Sequence, residues 1–391
     1  MSNSNSDRDN SSEIVAVAID RIVPGGYGIG FAEGATFFVP LTAPGDVVSV
    51  KVIRRKGKVA WGEAVEVLEI GPSRIEPECR YYGVCGGCDM QHLNYDAQIE
   101  TKRKIVSDCL RRIAGIEMPN LAKFVVSPKE FGYRTRVRWH TSEGKIGFRR
   151  RNSHDVTNVE HCPILDDGLN RALEKIREAT PGLPAELEAS TDSEGNTGLS
   201  PDIFESSPEL LTSVAGEEYR YSADCFFQAN ASMLEPLITA AVGGLSGKKA
   251  LDLYCGAGLF TLPLARRFEE VVGVEGSSVS SKFARLNAHN SGLLNISIYG
   301  RNVELFCSIG VMNEYDTVVL DPPRSGPSPA LIANLSKSDV RTISYVSCEP
   351  SILARDLKML LAGGYSVSDL TMLDLFPQTH HVETVVRLNR Q

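Results

Sequence analysis

The chain divides by the period of its apolar positions. Residues 14–70 alternate apolar and polar side chains in short runs. Ile14, Val15, Val17 and Ile19 open the series, Phe37-Phe38-Val39 is a brief run, and residues 47–53 and 60–70 alternate over longer stretches. Alternation at every second residue marks half-buried strands. Gly25-Gly26-Tyr27-Gly28-Ile29-Gly30 and Pro44-Gly45-Asp46 supply turns. About five such strands in so short a span predict an OB-like barrel. Residues 71–220 mix periods. Residues 95–113 predict a helix with Ile99, Ile105, Val106, Cys109, Leu110 and Ile113 along one face. Residues 133–140 and 145–148 predict a hairpin turning at Glu143-Gly144, and residues 194–200 a polar loop.

From residue 221 onward, strands alternate with helices. Buried strands are expected at 250–254, 271–274, 317–320, 343–346, 366–372 and 384–388, with a helix at 260–267. Strand–helix alternation implies an α/β domain with a doubly wound, largely parallel sheet. The predicted organisation is a polar, Ser/Asn-rich disordered tail (1–13), a β-barrel (14–70), a small central α+β domain (71–220) and the α/β domain (221–391).

Composition narrows the class. Hydrophobic residues make up 42% and charged residues 23%, enough for real cores. The tail lacks the apolar stretch of a leader peptide, and no apolar run approaches a membrane span, so a cytoplasmic protein without membrane contact is expected. Nine cysteines in such a chain point to metal, catalysis or packing rather than disulfides. The net charge of −8 is uneven: residues 1–160 carry +3 and residues 161–391 carry −11. Positive charge clustered in the first half fits a polyanion-binding face.

Asp252-Leu-Tyr254-Cys-Gly-Ala-Gly258 sits where a buried strand meets a helix. Its glycines allow a tight turn and close backbone approach to a ligand. Glu275 ends the next strand, where an acid can bind both ribose hydroxyls of a nucleoside. The pattern lacks the third glycine of a dinucleotide fingerprint, so a nucleoside cofactor without phosphate fits better. Asp321-Pro-Pro-Arg324 and Ser347-Cys348-Glu-Pro350 each follow a predicted strand, at the rim where such sheets bind ligands. Cysteine there suits nucleophilic addition to a pyrimidine at carbon 6, which makes carbon 5 electron-rich. The carbon 5 proton then needs a base, and Glu383, opening the last strand, can reach the same rim.

Taken in order, Asp321-Pro-Pro-Arg, Ser347-Cys348-x-Pro and His381-Val-Glu383-Thr resemble the RNA 5-methyluridine methyltransferase family. The Asp252 turn looks like the first motif of class I S-adenosylmethionine methyltransferases. Phe226-Phe-Gln228-Ala-Asn230 is similar to the segment preceding the family's methyltransferase core, and the barrel resembles a TRAM domain. The resemblance implies that Gln228, Tyr254, Glu275, Asn302 and Asp321 contact S-adenosylmethionine, with Cys348 as nucleophile and Glu383 as base. Glu349 departs from the asparagine usual after the nucleophile.

Cys79-x5-Cys85-x2-Cys88 lies in a predicted loop, with Cys162-Pro163 downstream. By spacing alone, four thiolates fit a [4Fe–4S] cluster or zinc. Likeness to cluster-bearing family members, through Cys88-Asp-x-Gln91-His92, implies the [4Fe–4S] cluster. Cys109, Cys225, Cys255 and Cys307 are expected to be packing residues. Arg134, Arg136 and Arg138 would share one strand face, and with Tyr133, Trp139 and Arg149-Arg150-Arg151 they form a candidate RNA surface. The family members with both barrel and cluster imply 23S rRNA as substrate, with no obligate protein partner. The T-loop uridine of tRNA is the alternative substrate, and a non-catalytic iron–sulfur RNA-binding protein the alternative class.

Overall fold

The computed structural model describes residues 13–118, 122–178, 182–204, 207–307 and 311–390. The expected tail therefore lies almost wholly outside the described residues. The chain forms two compact units. One comprises residues 1–105, 150–153 and 378–380; the other holds the remainder.

In the first unit, β1 (Ile14–Val23), β2 (Tyr27–Ala32), β3 (Ala35–Pro40), β4 (Val47–Lys56) and β5 (Val59–Glu69) close into a barrel of order β1-β2-β3-β5-β4. Val15, Val17, Phe37, Val39, Val48, Val50 and Val52 fill it, the inward half of the alternating pattern. Asp46 is fully buried beside the barrel. It accepts hydrogen bonds from Ala43 N (2.6 Å) and Gly71 N (2.9 Å), and Arg74 Nη2 lies 2.6 Å away. A loop with Cys79, Cys85 and Cys88 follows, then helix α1 (Tyr95–Cys109), which from Val106 onward belongs to the second unit. The helical path continues as a π-turn over Leu110–Ala114 and stops at Gly115, whose φ of 73° provides the left-handed cap.

The second unit contains β6 (Lys123–Val125), β7 (Arg136–Ser142), β8 (Lys145–Arg149), β9 (Val156–Asn158), α2 (Asp167–Glu178), β10 (Glu186–Thr191) and β11 (Thr197–Ser200). Strands β7 to β11 make a sheet of order β11-β10-β7-β8-β9. Residues 197–200, expected as polar loop, form a strand because β10 offers them a complete ladder partner. Next come the hairpin β12 (Leu210–Val214) and β13 (Glu217–Tyr221), then α3 (Leu234–Val242).

The remaining elements are β14 (Gly247–Leu253), α4 (Thr261–Ala265), β15 (Phe268–Glu275), α5 (Ser278–Asn290), β16 (Ile296–Gly300), α6 (Val303–Cys307), β17 (Thr317–Leu320), α7 (Pro329–Lys337), β18 (Thr342–Ser347), α8 (Pro350–Ala362), β19 (Tyr365–Leu373) and β20 (Glu383–Arg390). They build an eight-stranded sheet of order β16-β15-β14-β17-β18-β20-β19-β6. Strands β14 to β18 run parallel; β20 is antiparallel to β18 and β19. Leu251, Leu253, Val272, Val274, Val318, Leu320, Ile343 and Tyr345 lie in one core cluster. Ala250, Val271, Val319 and Val346 lie in the other, so both faces of the sheet are covered. The chain passes from β14 to β15 on one side and returns to β17 on the other. That reversal opens a crevice at the carboxyl ends of β14 and β17.

Candidate functional site

Four expected site residues stand at that rim. Tyr254 follows β14, Glu275 ends β15, Asp321 follows β17 and Cys348 follows β18. Glu383 opens antiparallel β20 and so belongs to the same edge. All five lie in the second unit.

The Asp252–Gly258 turn is shaped by backbone conformation. Gly256 and Gly258 have φ of 56° and 95°, and Tyr254, which has a Cβ, has φ of 62°. A left-handed non-glycine residue costs free energy, and such strain collects at ligand sites. The Glu275 carboxylate accepts from Gly256 N (3.0 Å) and Ser277 N (2.6 Å), so it braces the turn. Thr261 Oγ1 donates to Asp252 Oδ2 (2.6 Å), while Asp252 Oδ1 is buried without a partner among the described residues. Burial, with Asp321 and Glu275 nearby, pushes the Asp252 pKa up to about 7. Gln228 is nearly buried and donates from Nε2 to Asp321 Oδ2 at 3.4 Å, bringing two expected cofactor residues together. Burial raises Asp321 to about 7 as well, opposed by that hydrogen bond.

Asn302 is less committed to this cluster. It is exposed, and its Oδ1 accepts from Leu305 N (3.0 Å), capping α6. Its amide nitrogen is the part left for a ligand.

Cys348 occupies the turn between β18 and α8. Ser347 Oγ brackets this turn, accepting from Glu349 N (3.2 Å) and donating to Glu349 O (3.4 Å). Glu349, the residue that departs from the family pattern, is the N-cap of α8 and accepts from Ser351 N. Tyr345 on β18 donates to Asp356 Oδ2 on α8 (2.7 Å), fixing strand to helix on either side of the turn. Cys348 is half-buried, whereas Cys109, Cys225, Cys255 and Cys307 are buried as packing residues are. Burial lifts the Cys348 thiol to about 12, Glu383 and Asp321 add to the rise, and Arg324 opposes it.

Glu383 is 3% exposed, and its Oε1 has no hydrogen-bond partner among the described residues. Burial holds its pKa well above the usual range, Asp321 adds to this, and Arg324 again opposes it. A bare buried carboxylate oxygen is rare and calls for an explanation. Arg324 and Asp252 were not among the expected site residues, although both lie inside the motifs that pointed here. Their signal was motif position: the last residue of Asp-Pro-Pro-Arg, and the strand residue two before Tyr254.

The expected RNA surface is revised. Tyr133 and Trp139 are fully buried, and Tyr133 donates to Pro377 O (2.9 Å), so neither offers a stacking face. Arg136 and Arg138 both bind Glu188, while Glu186 faces Arg138, His140 and Arg149. The register Arg138↔Glu188 brings acids onto the basic strand and neutralises much of it.

The cysteines are split between the units. Cys79, Cys85 and Cys88 are half-exposed in the first. There Cys85 Sγ accepts from Gly87 N (3.4 Å), and Cys79 N donates to Gln91 Oε1 (3.1 Å). Cys162, in the second, is buried, and Asn170 bonds both its N–H (2.9 Å) and its C=O (3.1 Å). Among the described residues, no group of three or more His, Cys, Asp or Glu side chains is arranged to close on a metal ion. The thiols as placed thus do not specify iron or zinc. Nor is any helix among them long and apolar enough to cross a membrane.

The chain is similar to several known proteins. A family profile described as tRNA (uracil-5-)-methyltransferase matches residues 209–391. A 23S rRNA (uracil(1939)-C(5))-methyltransferase from Pseudomonas entomophila is 32% identical over 94% of this chain and 92% of its own. An RNA methyltransferase of undetermined role from Aquifex aeolicus is 31% identical over 95% and 97%. The crystal structure of Pyrococcus abyssi tRNA (uracil-54, C5)-methyltransferase with S-adenosyl-L-homocysteine superposes with a TM-score of 0.74. It is 25% identical and covers 96% of this chain and all of the other.

Proposed function

Since the chain belongs to the RNA uracil-C5 methyltransferase family, we propose that it methylates carbon 5 of a uridine in 23S rRNA, with Cys348 as nucleophile and Glu383 as base. The single observation that carries the residue roles is the placement, at one sheet edge, of a half-buried thiol and a buried carboxylate whose Oε1 has no partner among the described residues. The rRNA substrate is supported by the curated 23S rRNA enzymes, which match along nearly their whole length.

S-adenosylmethionine supplies the methyl group when bound. Gln228, Tyr254, Glu275 and Asp321 are proposed to hold it at the crevice, with Asn302 contributing its amide nitrogen. The Cys348 sulfur, as the thiolate, adds to carbon 6 of the ring, and the carbon 5–carbon 6 electrons pass into an enolate that makes carbon 5 nucleophilic. After carbon 5 is methylated, Glu383 takes the proton from it. The electrons left on carbon 5 form the carbon 5–carbon 6 double bond and expel the sulfur. Arg324 offsets the negative charge that gathers on these two groups.

Cys79, Cys85, Cys88 and Cys162 are proposed as ligands of a [4Fe–4S] cluster. This rests on the resemblance of Cys79-x5-Cys85-x2-Cys88-Asp-x-Gln91-His92 to cluster-bearing family members, and no step of methyl transfer passes through the cluster. A cytoplasmic location and a division at residues 70 and 220 belong to the same reading.

The test is mass mapping of 5-methyluridine in ribosomal and transfer RNA from cells with and without the gene. Loss confined to 23S rRNA supports the proposal; loss confined to tRNA overturns the substrate. The absorption spectrum of anaerobically purified protein separates an iron–sulfur cluster, which absorbs in the visible, from zinc, which does not.

A further inference from the structure

Glu304 carries an unusual share of the connections behind the cofactor crevice. It lies in the first turn of α6 and is half-buried. Its Oε1 accepts from the Tyr254 hydroxyl at 2.9 Å and from Ser328 N at 3.1 Å. Its Oε2 accepts from Ser328 Oγ. Three segments that carry expected cofactor residues therefore meet at one carboxylate. Tyr254 belongs to the turn after β14, Asn302 lies two residues before Glu304, and Ser328 ends the loop that begins at Asp321.

Each segment has reason to need the tie. Tyr254 holds a left-handed backbone without being glycine, a conformation that persists where surrounding contacts hold it, and its hydroxyl contact to Glu304 is one of these. The 321–328 loop turns at Gly326, whose N–H donates to Pro323 O (2.7 Å) and whose φ is 71°. Arg355 Nη2 holds Pro327 O at 3.2 Å, and Glu304 then captures Ser328, the N-cap of α7. The tyrosine hydroxyl is pushed far above its usual pKa by burial and by Glu304, so it remains a donor.

We propose that Glu304 is a positioning residue for S-adenosylmethionine: it locks the Tyr254 ring and the far end of the Asp321 loop into the shape that receives the cofactor. The proposal rests on the reading that this crevice holds S-adenosylmethionine. Glu304 acts through hydrogen bonds it accepts, not through its charge. Glutamine keeps one acceptor oxygen and should largely replace it, whereas alanine should not.

Calorimetric titration of S-adenosylmethionine into the purified full chain tests this, beside KM and kcat on substrate RNA. Glu304→Ala removes all three accepted hydrogen bonds and should weaken binding about tenfold. KM for the cofactor should rise more than kcat falls. Glu304→Gln should recover to within about threefold of the parent. Tyr254→Phe should weaken binding several-fold, and adding it to Glu304→Ala should cost little more, because the two remove the same contact. Equal losses in the glutamine and alanine variants would assign the effect to long-range charge and overturn the proposal. So would additive losses, or unchanged binding in Tyr254→Phe. Should Glu304→Ala fail to fold, the Tyr254→Phe and Glu304→Gln results still decide. Failure of the parent chain itself to bind S-adenosylmethionine would instead sink the cofactor reading.

Discussion

Ser347 and Thr384 face each other as register partners on antiparallel strands β18 and β20. Cys348 leaves one strand just where Glu383 enters the other, so backbone pairing alone holds thiol and carboxylate at a common edge. This division of labour predicts that the two residues fail differently. Cys348→Ala should form no adduct with 5-fluorouridine RNA. Glu383→Gln should still add its sulfur to ordinary uridine RNA but release hydrogen from carbon 5 about 10²- to 10⁴-fold more slowly. Denaturing gels and tritium release from 5-tritiated RNA read the two steps. Normal tritium release by Glu383→Gln would remove it from the role of base.

Arg324 opposes the rise of both groups. Burial and the neighbouring acids lift the Cys348 thiol to about 12, so its thiolate is scarce near neutral pH. Arg324→Gln removes the opposing charge and should lift it further. Alkylation of Cys348 by iodoacetamide, followed by mass spectrometry, should then be roughly three- to tenfold slower at about pH 8. An unchanged alkylation profile would mean that Arg324 does not sense the sulfur.

The acids under the crevice should also mark the pH dependence of stability. Burial raises Asp252 and Asp321 to about 7. A carboxyl with a higher pKa in the folded state binds extra protons there. The stability this confers is complete below the unfolded value, about 3.9, and is lost as pH climbs towards about 7. Asp252→Asn removes one of the two titrations. The difference in urea midpoint between about pH 5 and about pH 8 should therefore shrink in that variant.

How far the residues foretold this arrangement depended on how local each signal was. The barrel was legible because Val15, Val17, Val48, Val50 and Val52 repeat every second residue, a pattern only a one-sided strand needs. Tyr254, Glu275, Asp321 and Cys348 were legible because each directly follows or ends an apolar strand, and the ends of parallel strands share one edge. The fate of the arginine strand was not legible. Arg138 meets Glu188 only through the β7–β10 register, fifty positions apart in sequence. Residues 197–200 carried too little apolar signal to announce a strand and formed one because β10 presented an open edge. Glu304 was equally silent, since its three hydrogen bonds come from segments on either side of it in the chain.

Arg74 should be costly to remove from the first unit. Asp46 is fully buried, and burial by itself would raise its pKa, yet the net shift is downward. The Arg74 hydrogen bond and the amides of Gly71 and Ala43 outweigh desolvation. Arg74 also donates to Leu41 O at 3.0 Å, so it stitches the strand β3 exit to the segment after β5. Arg74→Ala leaves a buried carboxylate with only two amide donors, a defect that typically costs about 3–5 kcal/mol. The sign of the pH effect separates charge from packing. In the parent chain, the depressed pKa gives Asp46 a stabilising contribution that is present above about pH 4 and lost as pH falls further. Without Arg74, desolvation dominates and the carboxyl accepts a proton at higher pH, relieving part of the defect. The penalty of Arg74→Ala, read from hydrogen exchange of β4 amides, should therefore be smaller at about pH 4.5 than at about pH 7. Equal penalties at both values would assign Arg74 a packing role and leave its charge without effect on Asp46.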